Sequence, residues 1–367
     1  MKGRNYGIDL LRLVSMTYVI MLHVLGQGGV LAAATTGVQK CMVWFLEVFA
    51  FCAVDCFALI SGYVGFRDGK VKLKLANYLT IWFQVVFYTL LITVVFQIVL
   101  PDAVHWLDYV KAFLPVTMST YWYFTAYTGL FFVAPIINAA VQGLEETQAK
   151  RIVIVLFAVF SIYATLVPKD VFALKDGYSF VWLILMYFIG AVMKKTGMLS
   201  GVSCRAEIIG VLLLCLIGVV WRLYSGIISA QVFGKPVGTE LLLNYVSPTV
   251  LIAAVIHLLL FKRIEVSPGM KKAISFAAPG AFAAYIINTN PFIWEYCMKS
   301  RFEALVNYPT YLMPVIVIGF SVIFVLLSVT MDGMRRWIFH ILRIERLPAF
   351  IDDRIHSLFA HIHLASS

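Results

Sequence analysis

Apolar runs of 18–25 residues follow one another along nearly the whole chain, and the short segments between them carry most of the charge. A helix rises about 1.5 Å per residue, so a bilayer core of about 30 Å is crossed by roughly 20 such residues. Lipid offers no hydrogen bonds, and each run must close its own backbone bonds as a helix. The composition agrees, with 62% hydrophobic and 13% charged residues, where a soluble domain is about half apolar and a quarter charged. The sequence therefore predicts an all-α, polytopic transmembrane bundle. Ten spans are expected, at 8–27, 42–66, 76–100, 121–142, 151–168, 178–195, 205–227, 241–261, 273–297 and 310–331. Residues 1–331 would form the transmembrane domain and 332–367 a basic, amphipathic cytoplasmic tail. Residues 101–120 are too short and mixed to span, and their one apolar face predicts a surface helix.

The charge of +10 does not point to nucleic acid, because the cations sit in the loops. Of 29 Lys and Arg, 20 fall in segments on the N-terminal side of the bundle and 7 on the opposite side, with Arg12 and Arg222 inside spans. Cytoplasmic loops concentrate Lys and Arg, so both termini are expected in the cytoplasm. The six cysteines show no zinc spacing, and no metal is expected. The first apolar stretch holds Asp9, Arg12 and His23, which favours a retained span over a cleaved signal peptide.

Ionisable residues within a span are costly unless paired or hydrated, so each is a functional candidate. Arg12 and His23 are eleven residues apart, about three helical turns, and share one face of span one about 16 Å apart. Asp9, three before Arg12, can pair with it. Glu47 falls level with His23 in span two and could orient its imidazole, or could face interfacial water. Asp55 falls near the middle of the same span. Ser61-Gly62-Tyr63 precedes Arg67, Lys70, Lys72 and Lys74, a lysine-rich loop that could hold the phosphates of a nucleotide-bearing ligand, although topology alone explains most of these cations. Asn288-Thr-Asn290-Pro291 interrupts span nine, and irregular backbone at that depth is tolerated only inside protein or along a cavity.

These segments resemble the membrane-bound acyltransferase-3 family. Tyr6-Gly-Ile-Asp9-Leu-Leu-Arg12, followed by ten residues and then His23, matches its Arg-x10-His signature. Asp55-Cys-Phe57-Ala-Leu-Ile-Ser61-Gly62-Tyr63, Tyr121-Trp122-Tyr123-Phe124 with Pro135, and Tyr285-Ile-Ile-Asn288-Thr-Asn290-Pro291 match three further stretches. Two departures stand out: Asn288 occupies a position where many members have histidine, and lysines replace an arginine pair after span two. The fused esterase-like domain of some members is not expected, so the chain is expected to act alone or with a separate partner.

The resemblance implies transfer of an acyl group, usually acetyl, from cytoplasmic acetyl-CoA or another acyl-CoA to a hydroxyl of an envelope glycan or glycolipid, in a bacterial cytoplasmic membrane. The acyl-CoA is a donor substrate, with no tightly bound cofactor expected. His23, Arg12, Glu47 and Asp55 are the expected catalytic residues. Lys72, Lys74, Ser61 and Tyr63 are expected at the donor, and Trp122, Tyr123, Asn288 and Asn290 at the acceptor. His23 could act as general base or carry the acyl group itself. A transporter of an amphiphilic solute, or a membrane sensor that binds without turnover, would use the same buried charges.

Overall fold

The computed structural model describes residues 4–67, 69 and 73–365, and every regular element among them is helical. In order these are α1 (Tyr6–Leu25), α2 (Val30–Ala33), α3 (Gly37–Ala50), α4 (Ala53–Gly65), α5 (Leu75–Val99), α6 (Trp106–Phe113), α7 (Trp122–Gly143), α8 (Glu146–Phe157), α9 (Ala164–Leu166), α10 (Phe180–Thr196), α11 (Cys204–Phe233), α12 (Pro248–Lys262), α13 (Pro268–Ala277), α14 (Ala281–Asn288), α15 (Leu312–Ile341) and α16 (Leu347–Ala365).

Seven helical stretches are long and apolar enough to cross a bilayer. They are α1, α3–α4 taken together, α5, α7, α8–α9, α11 and α15. The other three expected spans are shorter or broken, each for a local reason. The expected 178–195 segment is α10, which starts where the Ser179 hydroxyl accepts the Trp182 N–H at 3.1 Å. The 241–261 segment helps form α12 only from Pro248 onward, because the Ser247 hydroxyl closes the preceding turn onto the Leu241 carbonyl at 2.7 Å. The 273–297 segment is α13, a 3-10 turn at Ala278–Gly280, α14, and a π turn at Ile293–Met298. Pro279 and Pro291 lie at its two breaks, where each removes a backbone N–H from the ladder. At the other end, α15 runs on through residue 331 to Ile341, and the last helix, α16, begins at Leu347.

The bundle is built around α1 and α4. The apolar windows of α1 and of α3–α4 are 61% and 67% buried, against 17% for α8–α9 and 28% for α11. The peripheral helices thus keep apolar faces for lipid. Small residues let the central helices meet. A Cβ on Gly62 would stand 2.0 Å from the Tyr187 carbonyl oxygen, and one on Gly190 2.2 Å from that of Leu59. These two glycines bring the α4 and α10 backbones into direct contact.

Candidate functional site

The site starts from how α1 is held. The Asn5 side chain accepts the Ile8 N–H at 3.2 Å and donates to the Lys262 carbonyl at 2.9 Å, so the same residue caps α1 and fastens it to α12. Asp9 is buried, with Arg12 Nη1 at 2.8 Å and Arg4 Nε at 2.5 Å. This is the expected Asp9–Arg12 pair with a second cation added. Asp9 holds one edge of the Arg12 guanidinium, while the Arg12 side chain remains partly exposed in a cavity.

That cavity has a volume of about 560 Å³. Arg12, Arg67 and Lys74 give its wall three cations, joined by Ser61, Asn138 and Tyr127. Among the described residues, no carboxylate lines it. Such a wall suits a polyanion with several phosphates, which basic side chains hold by charge-assisted hydrogen bonds.

A second, smaller cavity of about 60 Å³ surrounds His23. Its wall is aromatic, with Trp122, Tyr123, Tyr178, Tyr245 and Tyr285 around the imidazole. The two cavities follow the same three helices. On α1, Arg12 lines the first and Met16, Val19 and His23 the second. On α4, Ser61 lines the first and Phe57 the second, and on α7 the same holds for Tyr127 and Tyr123. Side chains four apart stack on one helical face, so a single file of groups leads from the cationic wall to His23.

The His23 imidazole is oriented by Asn288. Its Nδ1 is hydrogen-bonded to Asn288 Oδ1, and its ring meets Trp294 edge-on, centroids 4.8 Å apart. An amide oxygen only accepts, so Nδ1 carries the proton in this pair and Nε2 keeps its lone pair. The orienting group is therefore Asn288, and no hydrogen bond joins His23 to Glu47 among the described residues. Glu47 is buried elsewhere on α3, its Oε2 without a hydrogen-bond partner among the described residues.

The remaining candidates separate into lining and supporting groups. Trp122 and Tyr123 line the His23 cavity, and Lys74 and Ser61 the cationic one. The Ser61 hydroxyl donates to the Phe57 carbonyl at 2.8 Å, which leaves its oxygen lone pairs toward the cavity. Tyr63 is not among the lining residues, and its ring lies under Lys194 Nζ at 4.6 Å. Asp55 is fully buried and accepts the Trp182 indole N–H at 2.8 Å, tying α4 to α10. Asn290 serves the chain break: its Oδ1 accepts the Phe292 N–H at 3.0 Å, and its Nδ2 donates to the Tyr121 hydroxyl at 3.1 Å. Lys72 lies outside the described residues.

Several lining residues carried no signal as site residues. Arg67 counts in the sequence only as a topology charge, and Tyr127, Asn138 and Tyr187 lie in ordinary apolar runs. Tyr178 and Tyr245 come from the connections before α10 and α12 and reach the His23 cavity only through packing, with rings 5.0 Å apart.

The model of the acyltransferase-3 family, described as an acyltransferase domain, matches residues 5–342. No curated protein and no solved structure matches the chain.

Proposed function

Because the chain belongs to the acyltransferase-3 family, we propose that it moves an acyl group, acetyl in the first instance, from a cytoplasmic acyl-CoA to a hydroxyl of an envelope glycan. In this reading the chain crosses a bacterial cytoplasmic membrane ten times, with α10, α12 and the broken α13–α14 segment as the shorter crossings and both termini inside. The observation that carries the reading is the shared face of α1: Arg12 opens on a cationic cavity and His23 on an aromatic one, along the same three helices.

The donor's phosphates lie against Arg12, Arg67 and Lys74, and its thioester reaches along α1 toward His23. The acceptor hydroxyl enters the aromatic cavity, whose rings offer apolar faces to a sugar and exclude bulk water. His23 Nε2 takes the hydroxyl proton as the oxygen attacks the thioester carbonyl, and the proton then passes to the departing thiolate. Asn288 holds the tautomer that presents an unprotonated Nε2 to the acceptor hydroxyl. The base role is favoured over a covalent one because the proton taken up at Nε2 is the one the thiolate needs, so the reaction closes without an acyl-enzyme step.

The test uses purified protein in lipid nanodiscs, acetyl-CoA labelled on the acetyl group and an extract of envelope glycans. Wild type is expected to release CoA and label the glycan. Binding of acetyl-CoA with no transfer to any glycan fraction would favour a sensor. Neither binding nor transfer would favour a transporter.

A further inference from the structure

The tail helix α16 begins five residues beyond the end of the matched family domain at 342, and it packs against α5. One polar contact fixes the docking: Asp352 Oδ2 accepts the backbone N–H of Ala76 at 3.2 Å. Ala76 is the second residue of α5. The first four N–H groups of a helix lack intrahelical partners, and a capping side chain normally serves the second or third of them. The residue at the cap position of α5 is Lys74, which makes no such bond, and an ammonium has no acceptor to offer. Asp352, 276 residues away in sequence, supplies what Lys74 cannot.

The position matters because Lys74 and Asn77, on either side of that capped N–H, both line the cationic cavity. The Asp352 side chain is 15% exposed, and His356 Nδ1, one turn along α16, bonds to the Asp352 backbone carbonyl at 2.9 Å, which leaves the carboxylate to the Ala76 N–H. Leu347, Phe350 and Leu358 are 42%, 55% and 62% exposed. At 100° per residue they point about 120–160° around α16 from Asp352. One face of α16 thus caps α5, while the opposite face carries these apolar side chains together with Arg354, whose guanidinium lies over the Phe350 ring, a mixture that suits a lipid surface.

We infer that Asp352 is a positioning residue for the donor cavity: α16 caps α5 from outside the family domain and so holds Lys74 and Asn77 in the cavity wall. This rests on the reading of that cavity as the donor site. Losing the cap frays the first turn of α5, moves both side chains, and weakens donor binding while the chemistry at His23 is untouched.

The experiment uses the full chain in nanodiscs, as wild type, Asp352→Ala and Asp352→Asn, with acetyl-CoA as the probe. Hydrogen exchange over residues 75–80 reports the cap and needs no ligand. Asp352→Ala is expected to speed exchange there and to raise the acetyl-CoA Kd about two- to tenfold, the scale of a lost helix cap, with kcat at saturating donor unchanged. Asp352→Asn, whose amide oxygen also caps, is expected to behave as wild type in both. Exchange in Asp352→Ala equal to wild type would overturn the inference, as would faster exchange with an unchanged Kd. Failure of wild type to bind acetyl-CoA would instead remove the donor reading, with the exchange result still deciding whether the cap exists.

Discussion

At the scale of single residues, the neighbours of each buried polar group divide chemistry from support. His23 borders a cavity, has one nitrogen committed to Asn288 and leaves the other free. Replacing it by alanine is expected to lower transfer by about 10²–10⁴-fold, the usual contribution of a general base, while acetyl-CoA still binds. Transfer at the wild-type rate would remove His23 from the reaction. Asn288→Leu keeps the bulk but strips the acceptor from Nδ1–H. An unsatisfied buried donor costs about 1–3 kcal/mol, so a loss of roughly tenfold or more in kcat is expected with donor Kd unchanged. Asp55 is the contrasting case. Its contact is an indole N–H, which an amide oxygen can equally accept, so Asp55→Asn should retain most transfer. A well-folded Asp55→Asn without activity would give this carboxylate a chemical role that its surroundings do not suggest.

At the scale of elements, close backbone approach between α4 and α10 sets the frame on which Ser61 and Tyr187 reach the same cavity. Gly62 makes that approach possible: any Cβ there meets the Tyr187 backbone, which cannot yield as a flexible side chain would. Gly62→Val is therefore expected to destabilise the protein by about 1–3 kcal/mol, the cost of overpacking. Its melting temperature in detergent should fall, and donor binding with it. An unchanged melting temperature would show that α4 and α10 are less tightly apposed than the glycines imply. The α13–α14 region works the other way, because its irregularity is the useful feature. A continuous helix through Asn288 and Pro291 would carry Trp294 away from His23, whereas the turn at Thr289–Asn290 brings both the amide and the indole to the imidazole.

At the scale of the whole molecule, the two cavities face a common axis, and the proposed reaction needs that axis to run across the membrane. Three exposed cysteines report the orientation: Cys41, Cys204 and Cys297. With both termini inside and ten crossings, a membrane-impermeant maleimide applied to intact cells should label Cys41 and Cys297 and spare Cys204 until the membrane is opened. Labelling of Cys204 alone would invert the orientation and put the cationic cavity on the wrong side for a cytoplasmic donor.

How much of this was legible in the sequence follows from the range of the forces involved. Hydrophobic length and loop charge act locally, so the all-helical membrane class, most of the long spans and the surface helix at 106–113 could be read directly. Helical periodicity is also local, and it put Asp9 against Arg12 and set Arg12 and His23 on one face of α1. Contacts between distant segments are not encoded in any local period. Glu47 lies level with His23 in sequence depth, yet packing gives the imidazole to Asn288, 265 residues away. Asp55 reads as a candidate acid until α10 brings Trp182 to it. Arg67 reads as a topology charge until the cavity closes around it, and the polar partner for the start of α5 comes from α16. Which residues lie in the membrane was decided by the chain's own apolar runs. Which polar groups meet there was decided only when the helices packed, because a buried hydrogen bond takes whichever partner the tertiary structure brings within about 3 Å.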